Sequence, residues 1–252
     1  MQFIEQMRFY CGQQHVHSRQ LIVFQLLVMV GLSLWVPLAV AATDLLKNQG
    51  TGFFVSGDGY FVTANHVAVG CRTPAVLTPF GFMAGDLVAQ SNDLDVAVIK
   101  TRRKPDAYGR FSVDPSQSFR RALSVTRFLH KGGLGSGSTI SGRFLGRTSA
   151  QGGRFAMRTK DTIAGGNSGS PVFDYRGGIV GMMVARARKD PRVGIAVDVF
   201  AITEFLSQSG INVETVAGGE YNPLAGGATA TRRYTFPLVC LPREKNTVSG
   251  QE

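Results

Sequence analysis

From Lys47 to about residue 200, short apolar runs alternate with clusters of turn-forming residues. The runs are rich in Val, Ile and Phe, and they lack the spacing of apolar positions that a long amphipathic helix requires. In the stretch TGFFVSGDGYFVTANHV, residues 51–67, a Ser-Gly-Asp-Gly turn separates two strand-like runs, which predicts a β-hairpin. With 31 glycines spread along the chain, this pattern predicts an all-β fold with many turns and few helices.

The strand pattern is interrupted near the middle of the chain. After the strand candidate DLDVAVIKT comes the basic, polar connector RRKPDAYGR, and residues 102–119 have little apolar periodicity. Such a segment is typical of a link between two halves of a fold. The strand-and-turn pattern then resumes in the following stretches: RALSVTRFL, STISGRFLG, GRFAMRTK, SPVFDYRGGIVGMMVA and VGIAVDV.

One short helix is predicted where this pattern ends. Asp198 is a suitable N-cap, Gly210 ends the helix, and one face carries Ile202, Phe205 and Leu206. Residues 209–252 follow as a tail rich in Gly, Ala and Thr, with one strand-like piece, YTFPLVCL. The tail is too short for a typical second globular domain.

The first segment of the chain is set apart by an apolar run, LIVFQLLVMVGLSLWVPLAV, at residues 21–40. Ala39 and Ala41 fit a signal-peptidase site, so residues 1–41 are predicted to be a cleaved signal peptide. The alternative is an uncleaved membrane anchor, because about 20 apolar residues can span a bilayer. Arginines precede the run and a single lysine follows it soon after, so under either hypothesis the remainder is exported, to the periplasm or beyond, or stays anchored to the inner membrane.

The chain is basic, with a formal net charge of +10 at pH 7. The basic residues are scattered in small clusters and no nucleic-acid-binding motif accompanies them, so nucleic acid is not an expected partner. The charge instead favours solubility, or attraction to an anionic envelope or to acidic substrates.

Three cysteines are too few for a disulfide scaffold. Cys11 precedes the apolar run, which leaves Cys71 and Cys240 as a candidate pair in an oxidising compartment; two unpaired thiols are the alternative. No spacing of Cys and His indicates a metal site.

Four residues carry the candidate chemistry: His66 after TAN, Asp93 and Asp95 in DLDVAVIK, and Ser168 in GGNSGSP. A serine hydroxyl is a poor nucleophile until an imidazole accepts its proton, and the imidazole needs a carboxylate to fix its tautomer and stabilise its charged form. An α/β-hydrolase is disfavoured, because its serine lies in G-x-S-x-G and precedes the acid and the histidine. By contrast, Ser138 in GSGST has glycine neighbours but no flanking Asn or Ser-Pro, and is predicted to be a loop serine.

These three blocks, TGFFVSGDGYFVTANHV, DLDVAVIK and GGNSGSPVF, resemble the catalytic blocks of chymotrypsin-like serine proteases, in the bacterial HtrA-like and glutamyl-endopeptidase-like branch. The resemblance covers about residues 47–207 and implies a protease domain at 42–208. Its fold would be two packed six-stranded antiparallel β-barrels, at about 47–110 and 120–200, with a short C-terminal helix. The active site would lie in the cleft between the barrels.

The resemblance also implies a role for each candidate residue. Ser168 would be the nucleophile, His66 the general base and then acid, and Asp95 the residue that orients the histidine. Asp93 is the alternative acid, since two residues along a strand point to the same face, but Asp95 directly precedes the apolar VAVI as the acid of the family does. The backbone N–H groups of Gly166 and Ser168 would form the oxyanion hole.

Substrate specificity is where this sequence departs from the best-known members. Thr162 stands where trypsin has the aspartate that selects basic side chains, and Asp161 is one place off. The stretch GMMV lacks the histidine with which glutamyl endopeptidases bind an acidic side chain. An apolar pocket lined by Met182 or Met183, for a small or medium aliphatic side chain, is therefore predicted. The full set of implied substrate-binding residues is Thr162, Ile163, Ala164, Met182, Met183 and Val184.

The predicted function is that of an exported serine endopeptidase that hydrolyses protein or peptide substrates through an acyl-enzyme, without a cofactor. HtrA proteins usually carry PDZ domains after the protease, and the tail is too short for one, so PDZ-based regulation is not implied. Two alternatives stay open: a catalytically inactive trypsin-fold binding or scaffold module of the cell envelope, and a membrane-tethered adaptor in which residues 21–40 matter more than the cleft.

Overall fold

A computed structural model describes the chain at residues 47–128, 137–148, 152–216 and 231–241. The predicted signal peptide or anchor, residues 1–41, lies outside these ranges. In the described ranges, no helix is long and apolar enough to cross a membrane.

The described residues are mostly β-structure, as the sequence predicts. The helices are α1 (Asn65–Ala68), α2 (Pro115–Ser118) and α3 (Val199–Gln208). The strands are β1 (Lys47–Phe54), β2 (Tyr60–Ala64), β3 (Pro74–Thr78), β4 (Gly81–Ser91), β5 (Val96–Thr101), β6 (Phe111–Ser112), β7 (Ala122–Arg127), β8 (Ser138–Arg147), β9 (Arg154–Thr159), β10 (Pro171–Phe173), β11 (Ile179–Arg186), β12 (Val193–Asp198), β13 (Thr215–Val216) and β14 (Thr235–Cys240).

The first barrel is a closed antiparallel sheet of six strands in the order β1-β14-β3-β4-β5-β2. β2 pairs with β1 and with β5, so Val62 lies opposite both Phe53 and Val98. All three side chains are fully buried. The strands rich in Val and Phe, which turn residues separate in the sequence, therefore form a barrel whose inside is filled by apolar side chains.

The strand that closes this barrel comes from the tail. The sequence assigned YTFPLVCL to residues 209–252, after the protease domain, whereas the structure inserts β14 between β1 and β3. Leu238 pairs with Gly50 on one side and with Val76 on the other. Without β14, the edges of β1 and β3 would be left without hydrogen-bonding partners, so this strand is an integral part of the barrel. A disulfide between Cys71 and Cys240 fixes the C-terminal end of β14. Of the two alternatives for these cysteines, the structure therefore has the disulfide-bonded pair.

The second barrel is formed by six strands from one continuous stretch, 122–198. In the order β10-β7-β8-β9-β12-β11, neighbouring strands are antiparallel, and the pairing of β10 with β11 closes the sheet. The short strands β6 and β13 extend it in parallel beyond β11. The prediction of two six-stranded antiparallel barrels is confirmed, and the predicted linker at 102–119 contains β6 and α2.

The predicted C-terminal helix is α3. The Asp198 carboxylate caps it by accepting a hydrogen bond from the Phe200 N–H at 2.9 Å. Ile202 and Leu206 are buried, and Gly210, just past the end, has a φ of +73°. Ile202 packs in the same cluster as Phe53 of β1 and Met182 of β11, so the helix joins the core that the first barrel shares with β11.

Candidate active site

His66 is held at the end of β2 by a single turn of helix, α1. Its neighbours Asn65, Val67 and Ala68 are buried, and the Asn65 amide donates a hydrogen bond to the Asn92 side-chain oxygen at 2.7 Å. Because the other faces of this turn pack inward, the His66 side chain faces outward and is half exposed. The backbone of His66 is therefore held in place by buried neighbours, while its imidazole is accessible.

Asp95 lies just before β5 and makes two hydrogen bonds to His66. One carboxylate oxygen is 2.7 Å from the His66 Nδ1 atom, and the other accepts from the His66 backbone N–H at 2.9 Å. Its carbonyl accepts from the Asn65 N–H at 3.1 Å. Asp95 has a φ of +60°, and among the described residues it is the only one besides glycine with a positive φ. Such a conformation is uncommon outside glycine, although Asp and Asn adopt it more readily than other residues.

The other carboxylate considered from the sequence, Asp93, lies elsewhere. Its side chain is exposed, and its carbonyl accepts a hydrogen bond from the Arg154 guanidinium at 2.8 Å. The turn between Asp93 and Asp95 breaks the strand, so the two side chains do not share one face. Asp95 is the carboxylate that contacts His66.

The carboxylate raises the pKa of His66 above its ordinary value. The main cause is the hydrogen bond from the imidazole to Asp95; partial burial of the ring opposes it, and the charge of Asp95 adds a smaller increase. A hydrogen bond that stabilises the imidazolium is what a general base requires when it takes up a proton.

Ser168 lies in the turn between β9 and β10, where the main chain folds tightly. The Asn167 N–H donates to the Ala164 carbonyl at 3.3 Å, and the Ser170 N–H to the Asn167 carbonyl at 3.0 Å. The turn is joined to β11, because Met183 accepts from the Gly169 N–H at 2.7 Å and donates to the Ser170 carbonyl at 2.8 Å. The sequence window GGNSGSP is thus a shaped turn.

Thr51 of β1 fastens this turn to the first barrel, a role that the sequence did not suggest. Its N–H donates to the Ser168 carbonyl at 2.8 Å, and its hydroxyl donates to the Gly166 carbonyl at 2.6 Å. A Cβ atom on Gly169 would lie 1.8 Å from the Thr51 carbonyl oxygen, so only glycine fits where the two barrels meet. The single clue in the sequence is a polar residue that stands just before the apolar run FFV.

The two candidate oxyanion-hole donors are free. Within the part of the chain that the structure describes, the N–H groups of Gly166 and Ser168 donate no hydrogen bond to a protein acceptor. Thr51 instead binds the carbonyl groups of both residues. Gly166 has a φ of +93°, which glycine adopts without strain. An anion beside this turn could accept from both N–H groups.

The six predicted substrate-binding residues fall into three groups. Thr162 and Ala164 are exposed, whereas Met182 and Val184 are buried in the cluster that contains Phe53 of the first barrel. Ile163 and Met183 are buried together in the core of the second barrel. Of the two methionines, Met183 is therefore the one that neighbours the turn at 162–164, and Met182 instead joins the barrels.

Ile163 and Met183 converge on Gly194 of β12. A Cβ atom placed on Gly194 would lie 2.6 Å from the Ile163 Cδ1 atom and 2.5 Å from the Met183 Sδ atom. Two arginines to which the sequence assigned no role, the buried Arg127 and the exposed Arg186, hold the turn at 162–164. Arg127 donates to the Thr162 carbonyl at 2.9 Å, and Arg186 to the Ile163 carbonyl at 3.3 Å.

No metal site is present in the described ranges, which contain no group of three or more His, Cys, Asp or Glu residues placed to hold an ion.

Comparison with known proteins gives three findings that bear on this site. The family model described as a trypsin-like peptidase domain matches residues 50–182. A protein of Bartonella henselae, named as a probable DegP-like periplasmic serine endoprotease, is 32% identical over 164 residues, which are 61% of this chain and 31% of that protein. The chain spans about a third of the length of the curated relatives it matches.

Solved structures share the fold. The Rv3671c protease from M. tuberculosis, in its active form, superposes with a TM-score of 0.55 at 20% identity over 66% of this chain and 76% of that chain. The HtrA-type protease AlgW with a bound decapeptide gives a TM-score of 0.55 at 21% identity, over 64% of this chain and 51% of that chain. These likenesses support the two-barrel architecture.

Proposed function

The chain belongs to the family of trypsin-like peptidase domains, as its three motifs indicate, and on that premise we propose that it is an exported serine endopeptidase. The observation that carries the proposal is the pair of hydrogen bonds between His66 and Asp95, at 2.7 and 2.9 Å, on a histidine that is half exposed. A purely structural histidine would have no need of an accessible ring nitrogen opposite a bound carboxylate.

In the proposed mechanism, the Ser168 hydroxyl attacks the carbonyl carbon of a peptide bond while His66 accepts its proton through Nε2. The Asp95 carboxylate keeps the proton on Nδ1 and stabilises the imidazolium. The tetrahedral intermediate collapses when His66 gives the proton to the leaving amine, which leaves an acyl group on Ser168. A water molecule, deprotonated by His66, then hydrolyses this ester and regenerates the serine.

The negative charge of the intermediate is proposed to rest on the N–H groups of Gly166 and Ser168. Thr51 supports this arrangement, because it binds the carbonyl groups of Gly166 and Ser168 and so restrains the turn that carries the donors. Donors that are fixed in advance need no reorganisation in the transition state, and the loss of one such donor costs about 10²–10³ in rate.

The substrate side chain before the cleaved bond is proposed to be small and aliphatic. Ile163 and Met183 leave no room for a Cβ atom on Gly194, and both side chains are apolar. No carboxylate stands among these three residues to select Lys or Arg. An apolar pocket beside these residues would bind Ala or Val with little loss of solvation, whereas a buried unpaired charge would be costly.

Export is supported by the names of the relatives and by the sequence before the first barrel. The Bartonella protein is named as periplasmic. Residues 21–40 form the apolar segment of a signal peptide or an anchor, and the disulfide between Cys71 and Cys240 is of a kind that persists in oxidising compartments.

The test is labelling by a fluorophosphonate probe, followed by digestion of a diverse peptide library. The wild-type chain and Ser138→Ala should be labelled and should cleave after small aliphatic residues. Ser168→Ala should show neither labelling nor cleavage. Wild-type protein that is folded yet unlabelled would favour the inactive binding or scaffold module. A cleavage profile dominated by Arg, Lys or Glu would overturn the pocket assignment alone.

A further inference from the structure

A cavity among the described residues lies away from the candidate active site, on the first barrel. Its volume is about 670 Å³, within the range of about 300–1,000 Å³ that is usual for ligand pockets. Three segments surround it: the turn after β3, residues 103–106 after β5, and the start of β14. The catalytic proposal makes no use of this cavity.

The strands separate the cavity from His66. Phe54, in the cavity wall, lies opposite Phe61 of β2, and Phe61 precedes His66 by five residues. An extended strand rises by about 3.3 Å per residue, so the two sites are about 15 Å apart. β5 also separates the two sites: Asp95 lies just before its first residue, and the cavity residues 103–106 lie just after its last. The cavity is at the opposite end of the first barrel.

The inside of the cavity is apolar. Phe54 and Met83 are buried beneath it, and Phe236 packs edge-on to Phe54 with ring centroids 6.0 Å apart. Phe80 stands at the edge and is 79% exposed, the largest exposure of any large apolar residue in the described ranges. The Thr78 hydroxyl, which also lines the cavity, already donates to the Gly81 carbonyl at 2.9 Å.

The rim of the cavity is basic. Four of its residues are cationic and one, Asp106, is acidic; the cations are Arg103, Lys104, Arg232 and Arg233. The Lys104 ammonium is 3.5 Å from the Asp58 carboxylate, and both side chains are largely exposed. Arg233 is exposed, and within the described residues no carboxylate pairs with it. The rim thus keeps an excess of positive charge directed at solvent.

We propose that this cavity binds an anionic amphiphile, with one acyl chain against Phe80, Met83 and Phe236 and the anionic head group at Arg233 and Lys104. An acyl chain makes no hydrogen bonds, which matches an interior whose one hydroxyl is already engaged. A peptide would bring backbone N–H and C=O groups into the same space without partners, at a cost in free energy. The excess of cations on the rim selects the sign of the head group.

The binding test uses laurate below its micellar concentration, titrated calorimetrically into the full-length chain. Laurate should bind with one-to-one stoichiometry, and more weakly at high salt because the head group is bound electrostatically. Dodecyltrimethylammonium has a tail of the same length and a cationic head group, so it should bind at least about tenfold more weakly. Equal binding of the two amphiphiles would overturn the proposal, and so would binding of an acidic peptide in place of laurate.

The variants locate the site. Lys104→Gln/Arg233→Gln should weaken laurate binding by about tenfold, and Phe80→Ser should weaken it by a smaller factor. Arg102→Gln is the control, because Arg102 is exposed and lies two residues before Lys104 but does not line the cavity. Thermal unfolding should be unchanged in all three variants. If neither the double variant nor Phe80→Ser weakened laurate binding, the ligand would bind elsewhere and the assignment of this cavity would be overturned. The readout is independent of proteolysis, so its failure leaves the proposed function untouched.

Discussion

The two barrels of this chain have the same number of strands and are closed in different ways. The second is formed by the continuous stretch 122–198, whereas the first takes β14 from the far end of the chain. A disulfide between residues separated by 169 positions fixes that strand. The proposed base and acid, His66 and Asp95, belong to the barrel that depends on a remote strand. The proposed nucleophile, Ser168, belongs to the one that does not.

This difference means that the candidate site depends on contacts between distant parts of the sequence. Forming the first barrel requires a long loop to close before β14 can pair, and such closure is entropically costly. The second barrel pairs strands that are close in sequence, apart from the closing pairs. Changes in the tail should therefore affect His66 and Asp95 first.

The largest effect is expected when β14 is removed. A chain that ends at residue 230 loses the partner of both β1 and β3 and exposes the apolar interior around Val76, which Leu238 covers in the intact barrel. We expect loss of cooperative unfolding for the first barrel and loss of all activity, measured by calorimetry and peptide cleavage. A chain that ends at residue 241 keeps β14 and should behave like the wild type. Full activity of the shorter chain would show that β14 is dispensable.

The next largest effect is expected at Asp95. Asp95→Asn removes the charge and allows the wrong imidazole tautomer, which should lower kcat by about 10⁴-fold. Asparagine accepts a left-handed backbone as readily as aspartate, so the fold should be retained. Asp93→Asn is the control and should be close to wild type, since the Asp93 side chain is exposed. Equal losses in the two variants would remove Asp95 from its proposed role.

A smaller effect, on stability, is expected from the disulfide. In Cys71→Ser/Cys240→Ser, β14 can still pair, but the unfolded chain is no longer restrained. The free energy of unfolding should fall by about 2–5 kcal/mol, as is usual for the loss of a native disulfide. Because the bridge joins parts of the first barrel, the loss should appear in hydrogen exchange of β3 and β14 before β8 and β9. Uniform loss of protection over both barrels would contradict the comparison.

Much of this architecture follows from the sequence because it is local. The hairpins, the linker and α3 are each specified by turn residues, apolar alternation or a cap within a few positions, as with Asp198 and Gly210. The position of β14 could not be deduced in this way. YTFPLVCL has the composition of a strand, but its residues do not indicate which strands it pairs with, namely β1 and β3.

The residues of the candidate site also differ in whether local sequence or distant contacts specify them. His66, Asp95 and Ser168 could be proposed from the sequence because each lies in a short contiguous motif. Thr51 was not found, because its role arises from a hydroxyl that meets the turn of the other barrel at 2.6 Å. Met182 and Met183 are adjacent in one strand, and alternation sends their side chains to opposite faces. The sequence alone could not show which of the two methionines lies beside Ile163 and the turn at 162–164.

Thr51 therefore offers the most direct test of how the barrels cooperate. Thr51→Val removes the hydroxyl and leaves the Gly166 carbonyl without its donor, which costs about 1–3 kcal/mol if that carbonyl stays buried. We expect kcat to fall by about 10-fold or more while the fold is kept. Thr51→Ser retains the hydroxyl and should recover most of the rate. A serine variant as impaired as the valine variant would mean that packing, and not the hydrogen bond, positions the turn.

The smallest effect is the expected dependence of stability on pH. It arises from the His66–Asp95 pair, which lies entirely in the first barrel. Since Asp95 raises the pKa of His66 in the folded state, protonation favours the folded chain. This stabilisation is fully present below the unfolded pKa of about 6.5 and is lost as pH rises through the higher folded pKa. The histidine is half exposed, so solvent screens the pair and the contribution is at most about 1 kcal/mol. His66→Gln should narrow the stability gap between pH 5 and pH 8, measured by urea unfolding.

Activity should change in the opposite direction over the same range. The proposed base must be neutral to accept the Ser168 proton, so kcat/KM should rise with pH, with a midpoint above 6.5. In Asp95→Asn the hydrogen bond that raises the pKa is lost, and the midpoint of the residual activity should move down. A midpoint that stays where it was would mean that the titrating group is not the His66 imidazole. The pair would then stabilise the first barrel without serving the chemistry of the second.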